Sequence, residues 1–125
     1  MLAQGGGSQR GGAIVNTASI AGLIGLNRAS AYVAAKHGVV GLTKTAALEY
    51  AADGIRVNAV CPGFVSTRMT AIVQEMRGDH IRGFIPMGRF GQPEEIAEMV
   101  VWLCSDRASY VTGTAYGVEG GWTAQ

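Results

Sequence analysis

Charge is scarce in this chain. Only 15% of its residues are Asp, Glu, Lys or Arg, against a hydrophobic share of 48%, which is low for a protein whose whole surface meets water. The formal net charge is +1, so there is no electrostatic case for nucleic acid or an anionic membrane, and neither partner is expected. There are two cysteines, Cys61 and Cys104, and they form no CxxC or Cys/His cluster. A metal site is therefore not expected, and two reduced, mostly buried thiols are a better reading than a disulfide. No apolar run approaches the roughly 20 residues of a membrane span. The opening MLAQGGGSQRGG lacks the basic and apolar regions of a signal peptide. These absences point to a cytoplasmic location.

Glycine, by contrast, is abundant, at 19 residues, which suggests many tight turns or close backbone approaches. Residues 1–4 resemble the end of a helix, and GGGSQRGG (5–12) reads as a linker. AIVNTAS (13–19) reads as a buried strand ending in small polar residues. An alanine-rich helix is expected over 29–52, with Ser30 as its cap, Val33, Val40, Leu48 and Tyr50 marking its packed side, and Asp53-Gly54 as its stop. IRVNAVCPG (55–63) reads as a second strand with a Pro-Gly turn, which makes a βαβ unit of a parallel sheet. The mixed stretch 64–92 should hold one or two short helices. Pro93-Glu94-Glu95 opens a helix to about Cys104, and a short strand follows over 114–118. Three strands leave exposed sheet edges, which suggests part of a larger domain.

Chemistry could reside at three places. In SAYVAAKHG (30–38), Tyr32 and Lys36 stand at i and i+4 and share a helix face. A phenol is a poor base at neutral pH, and a neighbouring ammonium favours its anion, so acid–base chemistry has a reason for this spacing. The plain alternative is a lysine stem beside a half-buried tyrosine. Ser19 closes the first strand, at the sheet edge where parallel sheets bind ligands, and could donate a hydrogen bond there; otherwise it is a turn serine. CPGFVST (61–67) leaves the second strand at that same edge. The apolar Met69, Ile72, Val73, Met76, Phe84, Ile85 and Met87 either cover the site or pack an amphipathic helix. His37 and His80 have no ligand cluster around them and read as structural or solvent-facing.

IVNTASIAG, AYVAAKHGVVGLTKTAALEYA, GIRVNAVCPGFVST, GRFGQPEEIAEMVVWLCSD and YVTGTAYGVEGG occur in this order. Together they resemble the C-terminal half of a short-chain dehydrogenase/reductase from residue 12 onward. The resemblance implies an α/β, Rossmann-like, doubly wound parallel sheet, with 13–125 as the C-terminal part of one domain and 1–12 as helix end and linker. It implies an NAD(P)-dependent oxidoreductase moving hydride between nicotinamide and a small carbonyl or alcohol substrate. Tyr32 would be the acid/base. Lys36 would favour the phenol's anion and hold the nicotinamide ribose hydroxyls, and Ser19 would orient the substrate oxygen. The Pro62, Gly63, Val65 and Thr67 loop would border the nicotinamide, with Val65 and Thr67 meeting its carboxamide and adjoining phosphate. The cofactor would be NAD or NADP, and the full-length form a homo-oligomer built through the Tyr32 helix and the last helix and strand.

No G-x-x-x-G-x-G or G-x-G-x-x-G follows a predicted strand, and a full family member is about twice as long. The expectation is therefore a truncated chain that is inactive alone. Two other readings stand beside it: a non-catalytic remnant acting through assembly, and a family member doing lyase or isomerase chemistry with the same tyrosine.

Overall fold

The structure is a computed structural model describing Met1 and residues 11–125. The expected helix end and most of the expected linker fall on residues 2–10, outside the described residues. Six main elements follow in chain order: β1 (Gly12–Thr17), α1 (Ser30–Tyr50), β2 (Ile55–Pro62), α2 (Ala71–Arg82), α3 (Pro93–Cys104) and β3 (Ala115–Val118). The strands form one parallel sheet in the order β1-β2-β3. Thr17 pairs with Val60, and Pro62 with Val118, so all three carboxyl ends leave the same edge.

β2 is buried along nearly its whole length because both of its faces are covered. Alternation divides its side chains between two layers. On one side Ile55, Val57, Ala59 and Cys61 pack against Val40 and Ala47 of α1. On the other, Arg56 donates to the carbonyls of Leu103 and Ser105, at 2.7 and 3.0 Å, satisfying the end of α3. The fold is thus an α/β parallel sheet with helices on both faces, as expected. Asn58, in the middle strand, is 1% exposed. Its amide nitrogen donates to the Val111 carbonyl at 2.8 Å, and its amide oxygen accepts from the Thr114 N–H at 3.1 Å. That pair of bonds sets the approach to β3.

Several local expectations need correction. The α1 contact stripe is Val40, Thr43 and Ala47, while Leu48 and Tyr50 are exposed. At 100° per residue, Leu48 lies a quarter-turn away from the stripe that Ala47 completes, and small residues let α1 sit close to the sheet. Thr43 is fully buried, accepting from the Asn16 amide at 2.9 Å and donating to the Val39 carbonyl at 2.8 Å. Ala29, not Ser30, is the N-cap, and it makes no side-chain cap bond. Gly54 ends the following turn with φ 73°, a left-handed conformation that suits glycine. Cys61 is buried but Cys104 is exposed, and both are free thiols. α3 spans its expected range and is secured by a capping box between Gln92 and Glu95. Among the described residues no helix is long and apolar enough to cross a membrane.

Candidate active site

The chain leaves β1 at Thr17 and turns at once into a short 3-10 helix, Ile20–Gly22, capped by Ser19. The Ser19 hydroxyl oxygen accepts from the Ala21 N–H at 3.1 Å, which fixes the oxygen and leaves its own proton to donate elsewhere. Ser19 is 8% exposed. This turn rests directly on α1. A Cβ placed on Gly22 would meet the Lys36 carbonyl oxygen at 2.8 Å and a Val40 methyl at 3.0 Å. Glycine is therefore what lets the Ser19 turn reach the helix segment carrying Lys36.

Tyr32 and Lys36 lie on one face of α1. The Lys36 ammonium sits 5.6 Å from the Tyr32 ring centroid. It also donates to the Thr17 carbonyl at 3.2 Å, across the gap between helix and strand end. One of its three donors is thereby used, and the lysine is steered toward the carboxyl edge of the sheet. Tyr32 as a residue is 49% exposed, so it faces outward from α1 and not into the core. Beneath them burial pushes the Cys61 thiol pKa up, partly offset by a hydrogen bond from the Ser19 backbone and by the positive charge of Lys36. Ser19, Lys36, Thr17 and Cys61 thus form one neighbourhood, with Tyr32 beside the ammonium.

The 62–67 segment leaves the same edge. A Cβ on Gly63 would come within 2.9 Å of the Glu119 Cα, so only glycine fits against the end of β3. Phe64 anchors the loop from below, with its ring 5.3 Å from Trp122 and 6.0 Å from Phe90. Val65 bridges to Gly91: the Gly91 N–H donates to Phe64 and the Ser66 N–H to Gly91, each at 2.9 Å. The Val65 N–H has no hydrogen-bond partner among the described residues. Thr67 is exposed.

Beyond the loop, Met69, Ile72 and Met76 are 89%, 69% and 74% exposed. They neither pack as a core stripe nor cover anything among the described residues, whereas Ile85 is buried with Ile81 and Phe90. His37 bonds to the Val33 carbonyl and His80 stacks edge-on to Phe84, both structural arrangements. A cavity of about 100 Å³ lies behind the loop, lined by Phe64, Arg89, Glu95 and Glu119 among others, and does not include Tyr32 or Lys36. A wider hollow of about 860 Å³, beside Gly12, Gly54, Arg56 and Tyr110, is at the opposite edge of the sheet. Neither is lined by Ser19, Tyr32 or Lys36, so the carboxyl edge of the sheet stays the candidate site.

Sequence reasoning missed Thr17 and Gly22. Thr17 acts through its main-chain carbonyl, which any residue would supply. Gly22 stands in the Ala-Gly step after Ser19, a small-residue signal whose meaning depends on α1 being there.

A family model described as enoyl-(acyl carrier protein) reductase matches residues 3–123. The chain belongs to the short-chain dehydrogenase/reductase family. It is 57% identical over 115 residues to cyclohexanol dehydrogenase of Acinetobacter sp. strain SE19, covering 92% of this chain and 45% of that protein. It is 48% identical over 118 residues to 2,5-dichloro-2,5-cyclohexadiene-1,4-diol dehydrogenase of Sphingobium indicum, covering 90% and 46%. A candidate 2-deoxy-D-gluconate 3-dehydrogenase from Agrobacterium tumefaciens, solved with bound NADP, superposes with a TM-score of 0.90 at 46% identity, covering 93% of this chain and 48% of that one. The chain spans about half the length of the curated relatives it matches.

Proposed function

We propose that this chain carries the proton-transfer half of an NAD(P)-dependent alcohol dehydrogenase or carbonyl reductase site, with Ser19, Tyr32 and Lys36 as its catalytic residues. The observation that carries the reading is the Lys36 ammonium, held by the Thr17 carbonyl at 3.2 Å and 5.6 Å from the Tyr32 ring centroid, at the carboxyl edge of the sheet.

The residues present fit the nicotinamide end of a dinucleotide. Lys36 has two donors left for a vicinal diol such as a ribose. The free Val65 N–H and the exposed Thr67 hydroxyl offer donors to a carboxamide and a phosphate, and Pro62 and Gly63 bring that loop close against β3. A bound dinucleotide supplies the hydride acceptor or donor. In the oxidative direction Tyr32 takes the proton from the substrate hydroxyl, and in the reductive direction it returns one to the carbonyl oxygen. Lys36 offsets the negative charge on the phenolic oxygen. Ser19, its oxygen fixed by Ala21, donates to the substrate oxygen and holds it toward Tyr32.

A cyclic secondary alcohol is the substrate class we favour. The two relatives described above act on six-membered carbocyclic alcohols by their names, and the exposed Met69, Ile72 and Met76 suit an apolar ring. The assembly reading keeps one observation in its favour: Leu42 and Leu48 stand 64% and 85% exposed on the outer face of α1. A homo-oligomer through that helix is part of the proposal.

The test joins residues 11–125 behind the N-terminal portion of the Acinetobacter enzyme and follows cyclohexanol oxidation with NAD⁺ and with NADP⁺. Turnover that Tyr32→Phe reduces by about 10²–10⁴-fold, without a change in melting temperature, is the expected result. A folded fusion in which Tyr32→Phe keeps full turnover refutes the assignment. The chain alone is expected to bind neither dinucleotide at micromolar concentration in titration calorimetry.

A further inference from the structure

The loop assigned above to the cofactor is held on one side by Gly91 and on the other by a single hydroxyl. Thr70 Oγ1 donates to the Val65 carbonyl at 2.6 Å and accepts from the Thr67 N–H at 2.9 Å. It also accepts from the Gln74 side-chain amide at 2.9 Å. Gln74 in turn accepts from Ser66 Oγ at 3.2 Å, so the cluster closes back on the loop it braces. The Thr67 hydroxyl lies 3.2 Å from the Thr70 hydroxyl and accepts from the Thr70 N–H at 3.3 Å. Thr70 is partly buried, while Thr67 is exposed.

The division of labour follows from these bonds. The Ser66 N–H belongs to the Gly91 bridge. The Val65 carbonyl and Thr67 N–H have no other partner among the described residues than Thr70. A hydroxyl that donates to one residue and accepts from the next but one fixes the backbone between them, and so aims the free Val65 N–H and the Thr67 side chain. Removing it leaves two main-chain groups unpaired, and the loop must rearrange to reach water.

We propose that Thr70 is a positioning residue for dinucleotide binding: it touches no substrate and acts by holding Val65 and Thr67 in the geometry that meets the nicotinamide end. This inference rests on the function proposed above.

Two measurements keep the two ideas apart. The first needs no activity. In Thr70→Val, which keeps the shape and loses the hydroxyl, amide hydrogen exchange at Thr67 should accelerate about tenfold or more, while Ser66, bonded to Gly91, stays protected. Thr70→Ser should restore Thr67 protection. The second uses the fusion enzyme. Thr70→Val should raise the KM for the dinucleotide about tenfold, with KM for cyclohexanol at saturating dinucleotide unchanged, and Thr70→Ser should rescue it. A purely structural role would lower the active fraction and so kcat, leaving KM alone. Unchanged Thr67 exchange in Thr70→Val overturns the brace. Faster exchange with an unchanged dinucleotide KM overturns its role in binding. A wild-type fusion that is folded but inactive counts against the proposed function instead, and the exchange result still decides the brace.

Discussion

Gly22→Ala tests whether the Ser19 turn and α1 are fitted as closely as the structure has them. The added methyl carbon would sit 2.8 Å from the Lys36 carbonyl oxygen and 3.1 Å from its carbonyl carbon, with a Val40 methyl at 3.0 Å. Ordinary contact begins at 3.4 Å, so more than half an ångström must be found. Two of the three atoms are helix backbone and cannot swing aside, and the residue is buried, so the turn itself must move away from α1. Overpacking of this kind costs about 1–3 kcal/mol, which lowers the melting temperature by several degrees in a domain of this size. The displaced turn carries Ser19. In the fusion enzyme kcat/KM should fall further than the melt implies, toward the roughly 10²-fold loss that a misplacement near 1 Å produces. Gly38→Ala is the control. It lies in the same helix as Lys36, nothing is within 4 Å of its added Cβ, and replacing a helical glycine should stabilise by about 0.5–1 kcal/mol. Circular dichroism melts of the two variants should therefore move in opposite directions. A Gly22→Ala protein that melts at or above the wild-type temperature refutes the close fit and the positioning argument built on it.

Other perturbations give separate checks. Lys36→Arg in the fusion keeps the charge but exchanges a compact ammonium for a planar fork, so the dinucleotide KM should rise while the fold survives; wild-type kinetics would remove Lys36 from the site. Asn58→Leu leaves the partly buried Thr114 N–H unpaired and leaves the Val111 carbonyl only its long 3.5 Å bond from Arg56, and urea titration should show a loss of about 1–3 kcal/mol; a neutral result would mean water replaces the amide. Arg89 makes two bonds to the Glu95 carboxylate, at 2.7 and 2.8 Å, and with the Gln92 N–H it holds the Glu95 pKa down to about 2 from an ordinary 4.5. A depressed carboxylate pKa adds stability that is present above the ordinary value and lost as pH falls toward the folded one, so the melting temperature should fall as pH drops from 4.5 to 2, and Glu95→Gln should flatten that slope of melting temperature against pH. The pair is solvent-exposed, so the effect should be small, and an unchanged slope in Glu95→Gln would show that the pair adds nothing.

The order of elements was legible along the chain because each is announced locally. β-branched residues mark the two long strands, Gly54 stops the α1 region, and Pro93 with two acids opens α3 at its observed first residue. The i, i+4 spacing alone placed Tyr32 and Lys36 on one face. What no local pattern could decide was contact between distant segments. Leu48 looks like a core residue until α1 is laid on the sheet and Ala47 takes that place. Thr17 joins the candidate site through a carbonyl, and Gly22 through the absence of a Cβ, neither of which has a meaning before β1 and α1 meet. The 65–74 hydroxyl network is likewise hidden in a run of ordinary turn residues. Propensity and periodicity are properties of neighbouring residues, so the chain itself determined its helices, strands and candidate chemistry. Close packing and hydrogen bonding join residues far apart in sequence, so only the tertiary structure decided what holds the lysine, the serine turn and the loop in register.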